Sequence, residues 1–272
     1  MMPAEIGHQL ILMVNERFTK RVYMKKNIVF MTCFEQAPDI LDYKEWCLKS
    51  WQVWCKKYDV ELFILSEELR DKIIMKPTWQ RWHVFEILEA NNIEYNQVAL
   101  VDVDTMIHPE APNFFDETNG EYSGVNDDLM VEWVHNSIVG YKDMFPDTEL
   151  DWTTYMNNGF IVMSPKHKEL CKAITEFYYA NEDELRNRQH NTLKKGSDQT
   201  PVNYLVRREG YPITHLNKKW NFTQLHQRGV LQGALFIDCA WLWHFNGFDK
   251  TMRNNLMRDT WNVIKKRFEL ED

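Results

Sequence analysis

The segment Val98–Val101 constrains the fold most, because it is apolar at every position and an aspartate, Asp102, follows it directly. A short apolar run with polar residues after it predicts a strand that is buried on both faces. Such strands occur in parallel sheets that helices cover on both sides. Because α/β proteins bind ligands beyond the carboxyl ends of these strands, Asp102 marks the start of a candidate site.

The residues before this strand alternate between strand and helix patterns. Ile28–Thr32 and Val60–Leu65 are short β-favouring runs, whereas Asp42–Tyr58 and Thr78–Glu89 carry apolar residues at intervals of three and four. These intervals predict helices that face a core, and most of the tryptophans are expected to serve in packing. The resulting order, strand–helix–strand–helix–strand, is typical of a doubly wound parallel sheet.

Beyond the third strand the pattern is less regular. Gly159–Met163 predicts a further strand, and His167–Ala180 and Asp198–Arg208 predict helices. Between these two helices, Glu182–Gly196 is rich in charge and is expected to be an exposed excursion.

The chain carries no internal repeat, low-complexity tract or linker. We therefore predict a single domain over residues 27–272, preceded by an N-terminal extension over residues 1–26. Hydrophobic residues make up 44% of the chain, which is enough for a buried core. No apolar run approaches the length of about 18 residues that a transmembrane helix needs, so none is expected.

Charge and cysteine content exclude several classes of protein. A net charge of −8 argues against a nucleic-acid partner, which usually meets a basic face. It argues equally against docking on an anionic membrane surface. The five cysteines are scattered without a C-x-x-C pair, which predicts reduced thiols and a cytoplasmic location.

Asp102-Val103-Asp104 forms a pair of carboxylates after the third strand. Residues two apart in an extended chain point the same way, so the two side chains are expected to make one oxygen-rich site. Mg²⁺ and Mn²⁺ prefer such oxygen ligands, with phosphate oxygens completing the shell. The plainer interpretation is two surface aspartates at a strand end.

The same residues also resemble the first motif of haloacid-dehalogenase-type phosphatases, with Asp127-Asp128 in the place of the acidic last motif. Those enzymes need a lysine between the two acidic motifs, and the intervening stretch has none. A metal-dependent phosphatase is therefore the alternative hypothesis.

His244, Gly247 and Lys250 form a second candidate group near the C-terminus. Histidine is a suitable third metal ligand. Glycine permits a close backbone approach to a diphosphate, and lysine supplies a compact charge for a phosphate. For the histidine alone, packing among neighbouring aromatics is the plainer interpretation.

Taken together, Asp102-Val103-Asp104 and His244-x-x-Gly247-x-x-Lys250 resemble glycosyltransferase family 8, the group of glycogenin, galactinol synthase and bacterial lipopolysaccharide galactosyltransferases. Two segments between them are similar to that family as well, Asn157–Met163 and Ser197–Asn203. The likeness runs in order from about Ile28 to Lys250. The family usually continues with Pro-Trp after the lysine, whereas this chain continues with Thr-Met.

The resemblance implies a GT-A fold, which is a Rossmann-like α/β fold with a mixed sheet flanked by helices. It implies Mn²⁺ or Mg²⁺ as cofactor, a nucleotide-sugar donor (a UDP-sugar is favoured) and transfer with retention of configuration to an unknown glycan, lipid or protein acceptor. The implied metal ligands are Asp102, Asp104 and His244. The residues implied to bind the donor nucleotide and its diphosphate are Met31, Thr32, Arg81, Asp102, Val103, Gly247 and Lys250. Those implied for the donor sugar and the reaction centre are Asn158, Asp198 and Gln199.

Two further hypotheses stay open. A non-catalytic nucleotide-sugar-binding protein would show the same motifs. A nucleotidyltransferase is disfavoured because Thr32–Glu35 stands where a glycine-rich loop is expected. The segments Asn126-Asp127-Asp128 and Trp220-Asn221 are weaker candidates for contacts with sugar hydroxyls or a sugar ring.

Overall fold

The computed structural model describes residues 25–34, 43–127, 130–193 and 197–270. Within them, the strands are β1 Lys26–Thr32, β2 Glu61–Leu65, β3 Tyr95–Val101, β4 Thr105–Ile107, β5 Tyr122–Asn126, β6 Met156–Met163, β7 Ile213–His215 and β8 Leu242–His244. The α-helices are α1 Lys49–Tyr58, α2 Pro77–Gln80, α3 Val84–Ala90, α4 Val131–Tyr141, α5 Lys168–Ala180, α6 Glu182–Asn187, α7 Gln199–Arg208, α8 Arg228–Leu231, α9 Phe236–Cys239 and α10 Lys250–Arg267. The predicted N-terminal extension lies outside the described residues, except for Lys25 and Lys26, and Lys26 already belongs to β1.

Six strands form the main sheet in the order β2-β1-β3-β6-β5-β7. Strand β1 runs parallel to both β2 and β3. Strand β6 is antiparallel to β3 and to β5, and β5 is parallel to β7. The sheet is therefore mixed and flanked by helices, which confirms the predicted α/β class.

Each central strand contributes to a core on both faces of the sheet. In β1, Ile28 and Phe30 pack into one hydrophobic cluster, whereas Val29 and Met31 pack into the other. Alternation of side chains across a strand produces this division. All of Val98–Val101 is buried as well, as its uninterrupted apolar sequence predicts.

The predicted packing role of the tryptophans is confirmed for those that are fully buried: Trp51, Trp54, Trp79, Trp82, Trp220 and Trp243. Trp54 stacks on Phe114 with ring centroids 4.7 Å apart, and its indole N–H donates to the carbonyl of Ala111 at 3.1 Å. Burying such a ring contributes roughly 2–3 kcal/mol, and the hydrogen bond avoids the cost of an unpaired donor.

The segment after α5 is mostly exposed, as its charge predicts, but it is helical. It forms α6 and then a π-helical turn over Arg188–Thr192, and it buries Leu185 and Gln189. Some of its charges are paired at the surface. Arg188 contacts Glu184 one helical turn earlier and Asp143 on a neighbouring segment, both at 2.6 Å.

A two-stranded ribbon lies beside the main sheet and was not predicted. Strand β4 pairs antiparallel with β8, so that Thr105 stands opposite His244. The ribbon brings residues from distant parts of the sequence to the carboxyl end of β3. None of the helices in the described ranges is both long and apolar enough to cross a membrane.

Candidate metal centre

Hydrogen bonds within the turn that follows β3, and from three other segments of the chain, hold this turn in place. The N–H of Asp102 donates to the carbonyl of Gly159 at 2.9 Å, and the N–H of Phe245 donates to the carbonyl of Asp104 at 2.9 Å. The hydroxyl of Thr105 donates to the carbonyl of Asp102 at 2.6 Å and accepts the indole N–H of Trp51 at 3.1 Å. The two aspartates therefore project from a rigid backbone.

Asp102, Asp104 and His244 converge at this turn. One ligand atom from each lies within 4.8 Å of the others. The Nε2 atom of His244 is 3.4 Å from Asp104 Oδ1 and 3.6 Å from Asp102 Oδ2. The sequence motifs named these three residues, and the β4–β8 ribbon brings them together.

The imidazole of His244 is oriented by a chain of amides behind it. Its Nδ1 atom lies 3.0 Å from Asn221 Oδ1, and an amide oxygen only accepts hydrogen bonds, so Nδ1 carries the proton. Asn221 in turn donates to Asn157 Oδ1 at 3.0 Å, which fixes the orientation of its amide. In the neutral ring, the lone pair of Nε2 then faces the two carboxylates. This is the arrangement that a metal-binding histidine requires, so the donor set fits Mn²⁺ or Mg²⁺.

Gly159 makes room for the imidazole. A Cβ atom at this position would lie 2.7 Å from Nδ1 of His244 and closer still to its Cε1, and 2.9 Å from Asn157 Oδ1. Ordinary carbon contacts are about 3.5–4.0 Å. A glycine is therefore needed here for close approach of the ring to β6.

The charges of the centre shift the pKa of His244 and that of Asp104 in opposite directions. Burial alone would lower the pKa of His244, but the carboxylates of Asp104 and Asp102 outweigh it and raise that pKa above its ordinary value. Burial alone would raise the pKa of Asp104, but His244 and Arg253 outweigh it and lower that pKa. A divalent ion binds the neutral imidazole, so the raised pKa of His244 makes metal binding weaken as the pH falls.

Arg81 joins the metal centre to Asp198. Its side chain is only 4% exposed and donates to Asp102 Oδ1 at 2.5 Å and to Asp198 Oδ2 at 2.8 Å. Burial alone would lower the pKa of Arg81, but the two carboxylates outweigh it and raise that pKa, so the charge is permanent. Both terminal nitrogens are thus engaged by carboxylates, and the implied donor contact of Arg81 stays a prediction.

Asp198 is buried and surrounded by donors. Its Oδ2 atom accepts hydrogen bonds at 2.8 Å from Arg81, at 2.8 Å from Trp82 and at 3.3 Å from Asn158. Its Oδ1 atom accepts the hydroxyl of Ser197 at 3.0 Å. A carboxylate held in this way fixes its neighbours in position.

Asn158 and Gln199 lie side by side at the end of this network. The N–H of Asn158 donates to Gln199 Oε1 at 3.2 Å, and Gln199 Nε2 donates to Asp127 Oδ2 at 2.8 Å. The Oδ1 atom of Asn158 is buried and accepts no hydrogen bond from the part of the chain that the structure describes. An orphaned acceptor of this kind suits a ligand hydroxyl.

The local structure of the remaining predicted residues is as follows, and their roles stay predictions. Gly247 is exposed with φ at 76°, a left-handed conformation that favours glycine, and Lys250 is an exposed residue at the start of α10. Val103 is partly buried between the two aspartates, and Thr32 is half-buried at the end of β1. Met31 is fully buried, and its strand is paired with a neighbouring strand on either side, so the nucleoside contact of Met31 stays a prediction.

The structure adds three residues that sequence reasoning did not place at the metal centre. Asn157 was quoted only as part of a motif, and Asn221 was considered only as a sugar contact. Arg253, on the first turns of α10, places NH1 3.7 Å from Asp104 Oδ2. A signal for Arg253 existed, since it follows Lys250 by three residues and a helix brings such positions to the same face.

The fold is similar to those of solved glycosyltransferases. A glycosyltransferase involved in the glycosylation of the major capsid of PBCV-1 superposes with a TM-score of 0.57 at 11% identity, over 86% of this chain and 99% of that chain. The apo structure of the bifunctional glycosyltransferase WbbM superposes with a TM-score of 0.55 at 12% identity, over 85% of this chain and 48% of that one. No protein-family model and no curated protein matches the sequence. The likeness shows that this chain has a GT-A fold.

Proposed function

We propose that this protein transfers a sugar from a nucleotide-diphosphate sugar to an acceptor hydroxyl, with the aid of a divalent metal ion. The observation that carries the proposal is the cluster of Asp102, Asp104 and His244 at the carboxyl end of β3 in a GT-A fold. Two carboxylates and an imidazole suit Mn²⁺ or Mg²⁺. A UDP-sugar is the favoured donor on the strength of the sequence resemblance.

Bound at this cluster, the ion supplies positive charge that stabilises the departing nucleoside diphosphate. Neighbouring residues orient the proposed ligands and neutralise part of their charge. Asn221 keeps the lone pair of His244 directed at the cluster. Arg81 neutralises Asp102 from the buried side. Gly247 and Lys250 are proposed to meet the diphosphate.

The donor sugar is proposed to lie against Asn158 and Gln199. The orphaned Oδ1 atom of Asn158 is available to accept a hydrogen bond from a sugar hydroxyl. Asp198 contributes by positioning these amides rather than by touching the reacting atoms, because donors within the protein already surround it. Thr32, at the end of β1, is proposed to face the nucleoside.

The hydrogen bonds that both oxygens of Asp198 accept also bear on whether the sugar is transferred with retention or inversion of configuration. A covalent nucleophile needs a carboxylate oxygen with an available lone pair directed at the sugar. Asp198 is only 2% exposed and its oxygens are engaged, which makes it a poor nucleophile. Together with the resemblance to a retaining family, this favours attack by the acceptor hydroxyl on the face from which the diphosphate leaves.

A thermal-shift panel tests the proposal. UDP, GDP, ADP and CDP, and the corresponding nucleotide sugars, are added with and without Mn²⁺, because a ligand of the native state raises the melting temperature by mass action. A metal-dependent shift with one nucleoside diphosphate supports the proposal and identifies the donor base. Absence of any shift, together with phosphate release from simple phosphoesters, would favour the phosphatase. A shift without donor hydrolysis or transfer would favour a non-catalytic binding protein.

Asp104→Asn is the matched test of the metal ligand. The change keeps the size of the side chain and removes its charge, so the fold is expected to survive. Metal-dependent turnover of the donor should fall by more than about 100-fold, since loss of a partner behind a ligand already costs about 10–100-fold. Asp259→Asn is the control, because Asp259 is exposed and pairs with Arg258. Wild-type turnover by Asp104→Asn would refute the assignment.

A further inference from the structure

Arg253 is a cation at the metal centre that the motif-based assignment does not include. Its NH1 atom lies 3.7 Å from Asp104 Oδ2, and its side chain is 19% exposed, so it lies at the rim of the centre. Arg253 follows Lys250 by one helical turn in α10, and the two side chains therefore share a face of that helix.

The main chain of Arg253 is held by its helix, and its guanidinium lies near an aromatic ring. Its backbone N–H donates to the carbonyl of Asp249, the capping residue of α10, at 2.9 Å. The guanidinium carbon lies 5.6 Å from the ring centroid of Tyr43. A cation over an aromatic face is stabilised by about 0.5–1 kcal/mol or more. In the absence of a metal ion, the charge of Arg253 therefore lies beside Asp104.

The two aspartates have arginine partners of different kinds. Arg81 is buried and binds Asp102 at 2.5 Å while it also binds Asp198, so it cannot leave without exposing buried charges. Arg253 is partly exposed, and its distance of 3.7 Å to Asp104 exceeds that of a hydrogen bond. Of the two arginines, Arg253 therefore makes the weaker contact with a carboxylate of the centre.

A divalent ion bound to Asp104 would change the electrostatic interactions of the Arg253 guanidinium. The ion replaces the guanidinium as partner of the carboxylate and repels it as a like charge. The phosphate oxygens of a nucleoside diphosphate, brought to the same ion, offer new acceptors a short distance away. The planar fork of arginine matches phosphate oxygens, and such charge-assisted bonds are strong.

We propose that Arg253 is a displaceable counter-ion, which neutralises Asp104 in the metal-free protein and binds the diphosphate of the donor once the metal is in place. The inference rests on the proposed function. It predicts a binding order, because Arg253 opposes binding of the metal ion alone and favours binding of the nucleotide once the ion is bound. Metal and nucleotide binding are then positively coupled through this side chain, and the coupling is reciprocal.

Calorimetric titration of Arg253→Ala tests both halves of the inference. Mn²⁺ alone should bind about threefold to tenfold more tightly than to wild type, because a like charge is removed. In saturating Mn²⁺, the nucleoside diphosphate among UDP, GDP, ADP and CDP that binds wild type best should bind about 10–100-fold more weakly. Arg253→Lys should keep the wild-type Mn²⁺ affinity and still weaken the nucleotide.

Arg258→Ala is the matched control on the same helix, because Arg258 is exposed and pairs with its neighbour Asp259. It should leave both affinities unchanged. Unchanged nucleotide affinity in Arg253→Ala, or a parallel loss of Mn²⁺ affinity, would overturn the inference while leaving the proposed function intact. If the wild-type protein bound none of the four nucleotides in Mn²⁺, the proposed function and this inference would fail together.

Discussion

Replacing Gly159 with alanine would move a candidate metal ligand without altering any charged group. The added Cβ would lie 2.7 Å from Nδ1 of His244 and closer still to Cε1, where ordinary carbon contacts need about 3.5 Å or more. The ring would have to retreat by roughly 1 Å. That movement would break the 3.0 Å contact with Asn221 and carry Nε2 away from the carboxylates.

The expected loss follows from this displacement. Mn²⁺ affinity, measured by calorimetric titration, should fall by about 10–100-fold, as it does when the support of a ligand is lost. Donor turnover should fall by about 100-fold, since a shift of about 1 Å in a site has that effect. The free energy of unfolding should fall by about 1–3 kcal/mol, which is typical of overpacking and leaves the protein folded.

Gly229→Ala provides the control, because a Cβ at Gly229 would meet no atom within 4 Å. This variant should bind Mn²⁺ as the wild type does. If Gly159→Ala bound Mn²⁺ within about twofold of wild type and melted at the same temperature, the ring of His244 would not pack where the structure puts it. The assignment of His244 as a ligand would then fail.

Two further substitutions test the support of the site and of the fold. Asn221→Ala should weaken Mn²⁺ binding by about 10–100-fold, because the tautomer of His244 is no longer fixed. The control Asn96→Ala changes an exposed side chain and should leave Mn²⁺ affinity unchanged. Equal Mn²⁺ affinities of the two variants would contradict the role of Asn221. His167→Asn should flatten the fall in melting temperature in mild acid. Burial lowers the pKa of His167 from 6.5 to about 4, and its Nδ1 accepts the N–H of Ser164 at 3.0 Å. Between pH 6.5 and about 4, this histidine therefore binds a proton only in the unfolded chain, so the folded state loses stability as the pH falls through that range. Parallel plots of melting temperature against pH for wild type and variant would refute this.

The half of the fold that precedes Asp102 could be predicted from local patterns. Ile28–Thr32, Val60–Leu65 and Val98–Val101 are each long and apolar enough to indicate a strand, and each of the helices between them has a clear apolar face. The position of Asp102 and Asp104 followed from the strand before them. These predictions depend on neighbours in the sequence, which is where periodicity carries information.

The ribbon and the network around His244 could not be predicted in the same way. Strands β4 and β8 span three residues each, which is too short for an alternating pattern to emerge. Their pairing depends on contacts between distant segments. The hydrogen bond from His244 to Asn221 leaves no trace in spacing or composition. The charges after α5 indicated an exposed segment, and most of it is exposed, but they did not indicate that the segment is helical.

The β4–β8 ribbon has a consequence for cotranslational folding. Domains generally fold as units while synthesis proceeds from the N-terminus. A nascent chain that ends before β8 can carry both aspartates, yet it lacks the third ligand and the helix that bears Arg253. The centre is assembled only after His244 has emerged. If the proposed function holds, a translation product truncated before β8 is therefore expected not to consume a nucleotide sugar.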